Sequence, residues 1–326
     1  MKVVITGGGG FVGGMLGRRL LARAELTGPS GRPERIDRVV LLDVAHPPDA
    51  GAGDDARVER VTGDVTNADL LRSAVDPDDV SVFHLASMVS GACEEDFDGA
   101  LDANLGGVHA VLEAARARSS TPRVVFTSSI AAFGGEAIAG TVSDSTKLTP
   151  ETTYGTTKAI GELLVNDYTR KGFVDGRSAR LPTVVIRPGR PNAAASSWCS
   201  GIFREPLGGE EAIVPVDPDI RVPISGYRTL VDNLIRLHEV PGADIGTDRG
   251  VNLPAIAVTA REMADALRSV ASDRTLGPIT HRPDPTVSRI FAGWAQHSSS
   301  ERATALGLVT DQGLEPIIEA YIEDFL

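Results

Sequence analysis

Tyr154 and Lys158 stand four residues apart in YGTTKAIGE, a spacing that puts both side chains on one face of a helix. A phenol ordinarily keeps its proton up to a pH of about 10, and a neighbouring ammonium favours the phenolate. The pair therefore predicts a base able to work near neutral pH. On spacing alone, a surface tyrosine beside a surface lysine is the simpler account. A second chemistry-bearing stretch is TGGGGFVGG, which sets Gly7, Gly10 and Gly13 in the pattern GxxGxxG. Glycines there allow a tight turn and let backbone N–H groups approach a pyrophosphate at the positive end of a helix. Phe11 and Val12, where the loop enters the helix, belong to the same expected cofactor contact.

These residues need elements to hold them. KVVIT is a β-branched run without alternation, as in a strand buried on both faces, and FVGGMLGRRLLARAEL has helical apolar spacing. The glycine loop thus has the strand-before, helix-after context that its motif requires. Further strands are expected in IDRVVLLDV, ARVERVTGDV, DDVSVFHLAS, TPRVVFTSSI and LPTVVIRPG. Long helices are expected in DFDGALDANLGGVHAVLEAARAR and TYGTTKAIGELLVNDYTRKG. Strands alternating with helices predict an α/β fold, a Rossmann-type doubly wound parallel sheet. After Pro188 the chain turns rich in Gly, Pro and Ser, which predicts an irregular lobe or lid. The helices YRTLVDNLIRLHEV, TAREMADALRSVA and LEPIIEAYIEDFL follow, with GVNLPA as a short strand. Thr259 and Glu262 have capping-box spacing. The expected division is an NAD-binding unit of residues 1–187 rejoined by 226–255, and a smaller substrate-binding lobe of 188–225 and 256–326.

Asp43 ends the second strand, where a carboxylate can accept hydrogen bonds from ribose hydroxyls and would repel the additional phosphate of NADP. NAD is the expected cofactor. Asp43 follows Gly13 by thirty positions, rather than the usual ~20. The excess is the polar stretch TGPSGRPERID (27–37), expected as a surface loop. Asp64 and Val65 end the third strand at the carboxyl edge, suited to adenine contact or to a simple turn.

The net charge of −12, with no Lys/Arg cluster, argues against a nucleic-acid partner. Cys93 and Cys199 cannot form a disulfide framework or a zinc site and are expected as small buried apolar groups. The N-terminus lacks a signal-peptide pattern, and no run of apolar residues is long enough to span a membrane. A cytoplasmic protein is the expectation. His84, inside a strand, is expected to be packed, and His46 to lie in a surface loop. Trp198 and Phe203 suit either a lid or the lobe's small core.

In this order, TGGGGFVG, GDV, FHLAS, FTSSIAAFGG and YGTTK resemble the extended short-chain dehydrogenase/reductase family over nearly the whole chain. The resemblance implies catalysis by Ser129, Tyr154 and Lys158, with the serine twenty-five positions before the tyrosine. It implies that Leu85, Ala86 and Ser87 run under the cofactor, with Asn104 near the site and Pro188 near the nicotinamide. Tyr154 and Lys158 would also touch the cofactor. Within the family, HLASMVSGACEEDFDGALDANL and the stretch from TPETTYGTTK to GIFREPL are similar to the bacterial D-erythronate dehydrogenases. That similarity implies oxidation of the C2 hydroxyl of a four-carbon sugar acid with NAD, and the family implies a homodimer.

A sugar acid brings a carboxylate, for which an arginine fork is the natural partner. Arg187, Arg190, Arg221 and Arg228 are the candidates, with Ser87, Ser90, Ser129, Tyr154 and Asn192 for the hydroxyls. Two other functions fit the same residues: an NAD-dependent epimerase of nucleoside-diphosphate sugars, and a non-catalytic NAD-sensing protein.

Overall fold

The structure, a computed structural model, describes residues 1–47, 53, 55–76 and 78–326. The first strands are β1 (Lys2–Thr6), the hairpin pair β2 (Glu25–Thr27) and β3 (Pro33–Arg35), β4 (Arg38–Asp43), β5 (Val58–Thr62), β6 (Val80–His84), β7 (Arg123–Ser129) and β8 (Asp175–Leu181). The later ones are β9 (Thr183–Val185), β10 (Ala212–Val214), β11 (Val222–Gly226), β12 (Gly250–Asn252), β13 (Ile256–Val258) and β14 (Ile279–His281). Seven of them form one parallel sheet in the order β12-β8-β7-β6-β1-β4-β5. The direction of winding reverses between β1 and β6, so a crevice opens beyond their carboxyl ends.

Helices cover both faces, as a parallel sheet requires. On one face the helices Phe11–Arg23 and Tyr227–Glu239 bury Leu16, Leu20, Leu230 and Leu234 against Ile5 and Phe83. On the other, Val108, Leu112 and Val165 pack over Val4, Val82 and Val124. The lobe has its own core: Trp198, Ile202 and Phe203 meet Met263, Leu267 and Ile317 beside β11. Trp198 and Phe203 therefore fill this core.

Several expected elements differ in the structure. The sixth strand of the sheet is β8, DGRSARL, and LPTVVIRPG contributes only β9 to a small sheet ordered β13-β11-β9. Arg177 and Arg180 hid β8 from a hydrophobic pattern, because both are buried and paired. Arg177 donates to His238 O at 2.7 Å and Val240 O at 3.2 Å, the carboxyl end of a helix, and to Asp175 at 2.8 Å. Cations suit that helix end. The 27–37 stretch contains most of the β2–β3 hairpin rather than an unstructured loop. The long helix from Phe97 to Arg116 widens into a π-turn at Leu101–Gly106, a distortion that often marks functional sites. The lobe expected to be irregular contains the helix Ser197–Leu207. The Thr259–Glu262 capping box is formed. Among the described residues, no helix is long and apolar enough to cross a membrane.

His84 and His238 are buried, each stacked on a phenylalanine. Burial pulls His84 down to about 3, and burial with Arg177 and Arg123 nearby takes His238 well below the usual range. Unfolding lets both bind protons below their ordinary value of 6.5, so stability falls as the pH drops through that window. Each uncharged histidine steepens the slope by about 1.4 kcal/mol per pH unit. His238→Phe is expected to remove one such contribution, read as a flatter dependence of urea-unfolding free energy on pH between about 6 and 4.

Candidate active site

Thr152 caps the helix Thr153–Arg170 by accepting from Gly155 N at 3.0 Å. Tyr154, Lys158 and Glu162 follow at four-residue intervals and share one face. Two glycines let that face lie close to β7. A Cβ at Gly155 would meet Ala131 O at 2.1 Å, and one at Gly161 would meet the Phe126 ring at 2.6 Å. Lys158 is 3% exposed and donates to Thr127 O at 2.9 Å. Its ammonium lies 5.0 Å from the Phe126 ring centroid and 5.4 Å from that of Tyr154.

Burial pulls Lys158 down to about 8, opposed by Cys93 and Glu162. Burial also pushes the Tyr154 phenol up to about 12, opposed by a hydrogen bond with Ser129. The direction is opposite to the expected lowering: desolvation of the phenolate is the largest influence on Tyr154, and Ser129 is the group that opposes it. Ser129 ends β7, and its hydroxyl accepts from Ala131 N at 3.1 Å. Ser129 and Tyr154 face a cavity of about 270 Å³ whose wall also includes Val12, Ser90, Arg187 and Asn192.

The glycine loop lies at the reversal of the sheet. Gly7 has φ +73°, and a Cβ there would stand 2.8 Å from Ala86 N. A Cβ at Gly13 would meet Gly7 O at 2.2 Å. Gly10 caps the following helix without any side-chain bond, and the first turn contains no acid. The loop is a cradle at a helix N-terminus whose first turn carries neither a side-chain cap nor an acid, so these residues fit a dinucleotide pyrophosphate. Asp43 accepts from Gly9 N at 3.0 Å. Asp64 accepts from Thr66 N at 2.8 Å and Thr66 Oγ1 at 2.7 Å, bonds that hold its carboxyl below the usual range. Val65 is buried against Gly107. Phe11 turns its ring to Tyr227 and Phe325, with centroids 5.3 and 6.1 Å away.

Asn104 is a brace. Its Oδ1 accepts from Met88 N at 2.8 Å and its Nδ2 donates to Thr157 Oγ1 at 3.1 Å, joining the Leu85–Met88 segment to the Tyr154 helix. Ser87 Oγ lies 2.9 Å from Met88 O and 3.1 Å from Asn104 Oδ1, and Ser87 does not line the cavity. Pro188 follows Arg187 directly but is not among the residues that line the cavity.

Of the four arginine candidates, Arg187 alone lines the cavity. Arg221 donates to Ala257 O at 2.8 Å and pairs with Glu262 at 3.4 Å. Arg228 pairs with Asp324 and with Glu323 at 2.9 Å. Arg190 is exposed and offers its carbonyl to Arg187. Among the described residues Arg187 has no ion pair with a carboxylate. Burial and the neighbouring Arg204 lower its proton affinity. Thr183, Ser196, Ser197, Ser200 and Trp294 also line the cavity and were absent from the sequence-based set. Ser197 and Ser200, three apart on a helix, carry a periodic signal that would have found them.

A nucleotide cradle at the sheet's reversal, beside a cavity lined by a serine and a tyrosine with a lysine buried one turn from the tyrosine, is the architecture of a nicotinamide-dependent enzyme. The chain belongs to the NAD dependent epimerase/dehydratase family, whose model matches residues 3–213. It is 47% identical over 324 residues to the D-erythronate dehydrogenase of Cupriavidus necator, covering 99% of this chain and 98% of that one. It is 39% identical over 323 residues to the D-erythronate dehydrogenase of Haemophilus influenzae, covering 99% of each. The crystal structure of the nucleoside-diphosphate-sugar epimerase from Agrobacterium tumefaciens matches with a TM-score of 0.89 at 39% identity, over 100% of this chain and 94% of that chain.

A Cβ at Gly10 would find only Gly7 O, at 3.2 Å. Gly10→Ala is therefore expected to leave the melting temperature within a few degrees while weakening NAD binding about tenfold or more, measured by calorimetric titration.

Proposed function

We propose that this enzyme oxidises the C2 hydroxyl of D-erythronate to 2-keto-D-erythronate with NAD. One observation carries the substrate class: Arg187, which has no carboxylate partner among the described residues, lines the cavity that holds Ser129 and Tyr154. A half-buried cation without a counter-ion is suited to an anionic ligand. The full-length similarity to two D-erythronate dehydrogenases supports the same acid.

In this mechanism Tyr154 takes the proton of the substrate hydroxyl; burial disfavours its phenolate, so the Ser129 hydrogen bond and the nearby Lys158 ammonium are what must stabilise the charged form. Ser129 Oγ orients that hydroxyl, and Lys158 holds positive charge beside the phenolate. Arg187 fixes the carboxylate, and Ser90 and Asn192 are placed for the remaining hydroxyls. Bound NAD supplies the hydride acceptor. Gly7, Gly10, Gly13 and the helix amides would hold its pyrophosphate, and Asp43 its adenosine ribose.

The Agrobacterium epimerase structure favours a second reading, sugar-nucleotide epimerisation. The cavity of about 270 Å³ lies below the roughly 300–1,000 Å³ of typical ligand pockets, which suits a four-carbon acid better than a nucleoside-diphosphate sugar. We take residues 1–187 with 226–255 as the NAD-binding unit and the remainder as the substrate lobe, since β12 pairs with β8 while Asn192, Ser196 and Ser200 line the cavity. The free, buried thiols of Cys93 and Cys199 support a cytoplasmic setting.

A homodimer is proposed through the exposed apolar side chains Phe97, 59% accessible, and Leu163, 64% accessible, on neighbouring helices. Leu163→Glu is expected to convert dimer to monomer in sedimentation measurements.

The deciding assay follows NADH formation from D-erythronate, L-threonate, D-gluconate and UDP-glucose. Turnover is expected with the four-carbon acid. UDP-sugar conversion without net NADH would establish the epimerase instead. Tyr154→Phe is expected to lose about 10²-fold or more in kcat with NAD binding retained. Arg187→Met should raise KM for the acid by about tenfold or more, with little change in KM for NAD.

A further inference from the structure

Beneath the reacting residues lies a buried polar network. Glu162, one turn beyond Lys158, has a side chain 4% exposed. Its Oε1 accepts from the Ser128 hydroxyl. Arg180 Nε lies 3.0 Å from both carboxylate oxygens, and Arg180 Nη2 donates to Oε2 at 2.7 Å. The rest of the guanidinium is also engaged: Arg180 Nη1 donates to Asp144 O at 3.2 Å and Asn252 Oδ1 at 3.3 Å, beside the Phe133 ring. Gly250 leaves the pair its space, since a Cβ there would meet Arg180 Nη2 at 2.5 Å and Glu162 Oε2 at 2.8 Å.

A buried ion pair is a poor stabiliser, because both ions lose their hydration. Its location has a clearer purpose. Ser128 precedes Ser129, Glu162 follows Lys158 on the same face, and the residues after Arg180 (Leu181, Pro182 and Thr183) form cavity wall. The network thus joins the three elements that surround the chemistry. The titratable groups facing Lys158 are Tyr154 and Glu162 from its own helix, Cys93 from the helix Ser90–Glu95, and the uncharged His84 from β6. Arg180 in turn faces Asp144 and Asp248.

We propose that Glu162, clamped by Arg180, is a positioning residue for the reaction: it sets the register of Tyr154 and Lys158 against Ser129 and places a negative charge opposite the Lys158 ammonium. This rests on the reading of Ser129, Tyr154 and Lys158 as the reacting set. Glu162 favours the protonated lysine, so its neutralisation moves lysine deprotonation to lower pH.

The test measures NADH formation from D-erythronate against pH for the full chain, for Glu162→Gln, and for the double variant Glu162→Met, Arg180→Met, which removes both charges. In each folded variant kcat is expected to fall about tenfold while KM for D-erythronate stays within about twofold. The alkaline limb of kcat should move down by about one pH unit in Glu162→Gln, which removes the negative charge alone, and stay near its place in the double variant, which removes a compensated pair. If Glu162→Gln does not fold, the double variant decides. A folded variant with unaltered kcat and pH profile overturns the proposal, as would failure of both to fold, which would make the pair purely structural. Normal turnover by Tyr154→Phe would instead overturn the reading of the site itself.

Discussion

An ammonium held out of water at Lys158 constrains much of this structure. A buried lysine must find an acceptor and a favourable potential or lose its charge. Here Thr127 O accepts its hydrogen bond, the Phe126 ring lies beneath it and Glu162 stands one turn away. Meeting Thr127 requires the helix to pack unusually near β7, and Gly155 and Gly161 remove the side chains that would prevent it. The same approach brings Tyr154 to Ser129. Asn104, from the π-turn of a neighbouring helix, bonds both Thr157 and the backbone under the expected cofactor path. The expected nucleotide groove and the Ser129–Tyr154–Lys158 group are therefore held by one connected set of contacts.

Buried cations elsewhere obey the same rule and make Arg187 informative by contrast. Arg123, Arg177 and Arg249 gather around Asp175, and the first two also bond the carbonyl end of the helix Tyr227–Glu239. Arg180 has Glu162. Among the described residues, the Arg187 guanidinium bonds only the carbonyl of Arg190, and the residue lines the cavity. The contrast between the paired, buried guanidiniums and the half-buried Arg187 is what supports the proposal that this residue meets an anion.

Much of the fold was legible in the sequence because its signals are local. Continuous apolar runs marked β1, β4, β6 and β7, and glycine spacing between a strand and a helix marked the cradle. β8 was missed because a strand carrying Arg177 and Arg180 looks polar until Asp175, Glu162 and the helix carbonyls are brought to it. The serine-lined wall lay in a stretch whose Gly, Pro and Ser content masked the helix Ser197–Leu207.

By itself the sequence determined the alternation of strands and helices, the glycine turn and the four-residue spacing of Tyr154 and Lys158, since each depends on neighbours within a turn or a strand. Tertiary structure alone decided which arginine meets the cavity: Arg228 is taken by Asp324, ninety-six residues away, and Arg221 by Glu262, forty-one away. It also decided the protonation balance at Tyr154. Helical spacing predicts a cation near the phenol, but the desolvation of each group sets the cost of charging it, and that desolvation exists only once helix, sheet and lobe have closed around them.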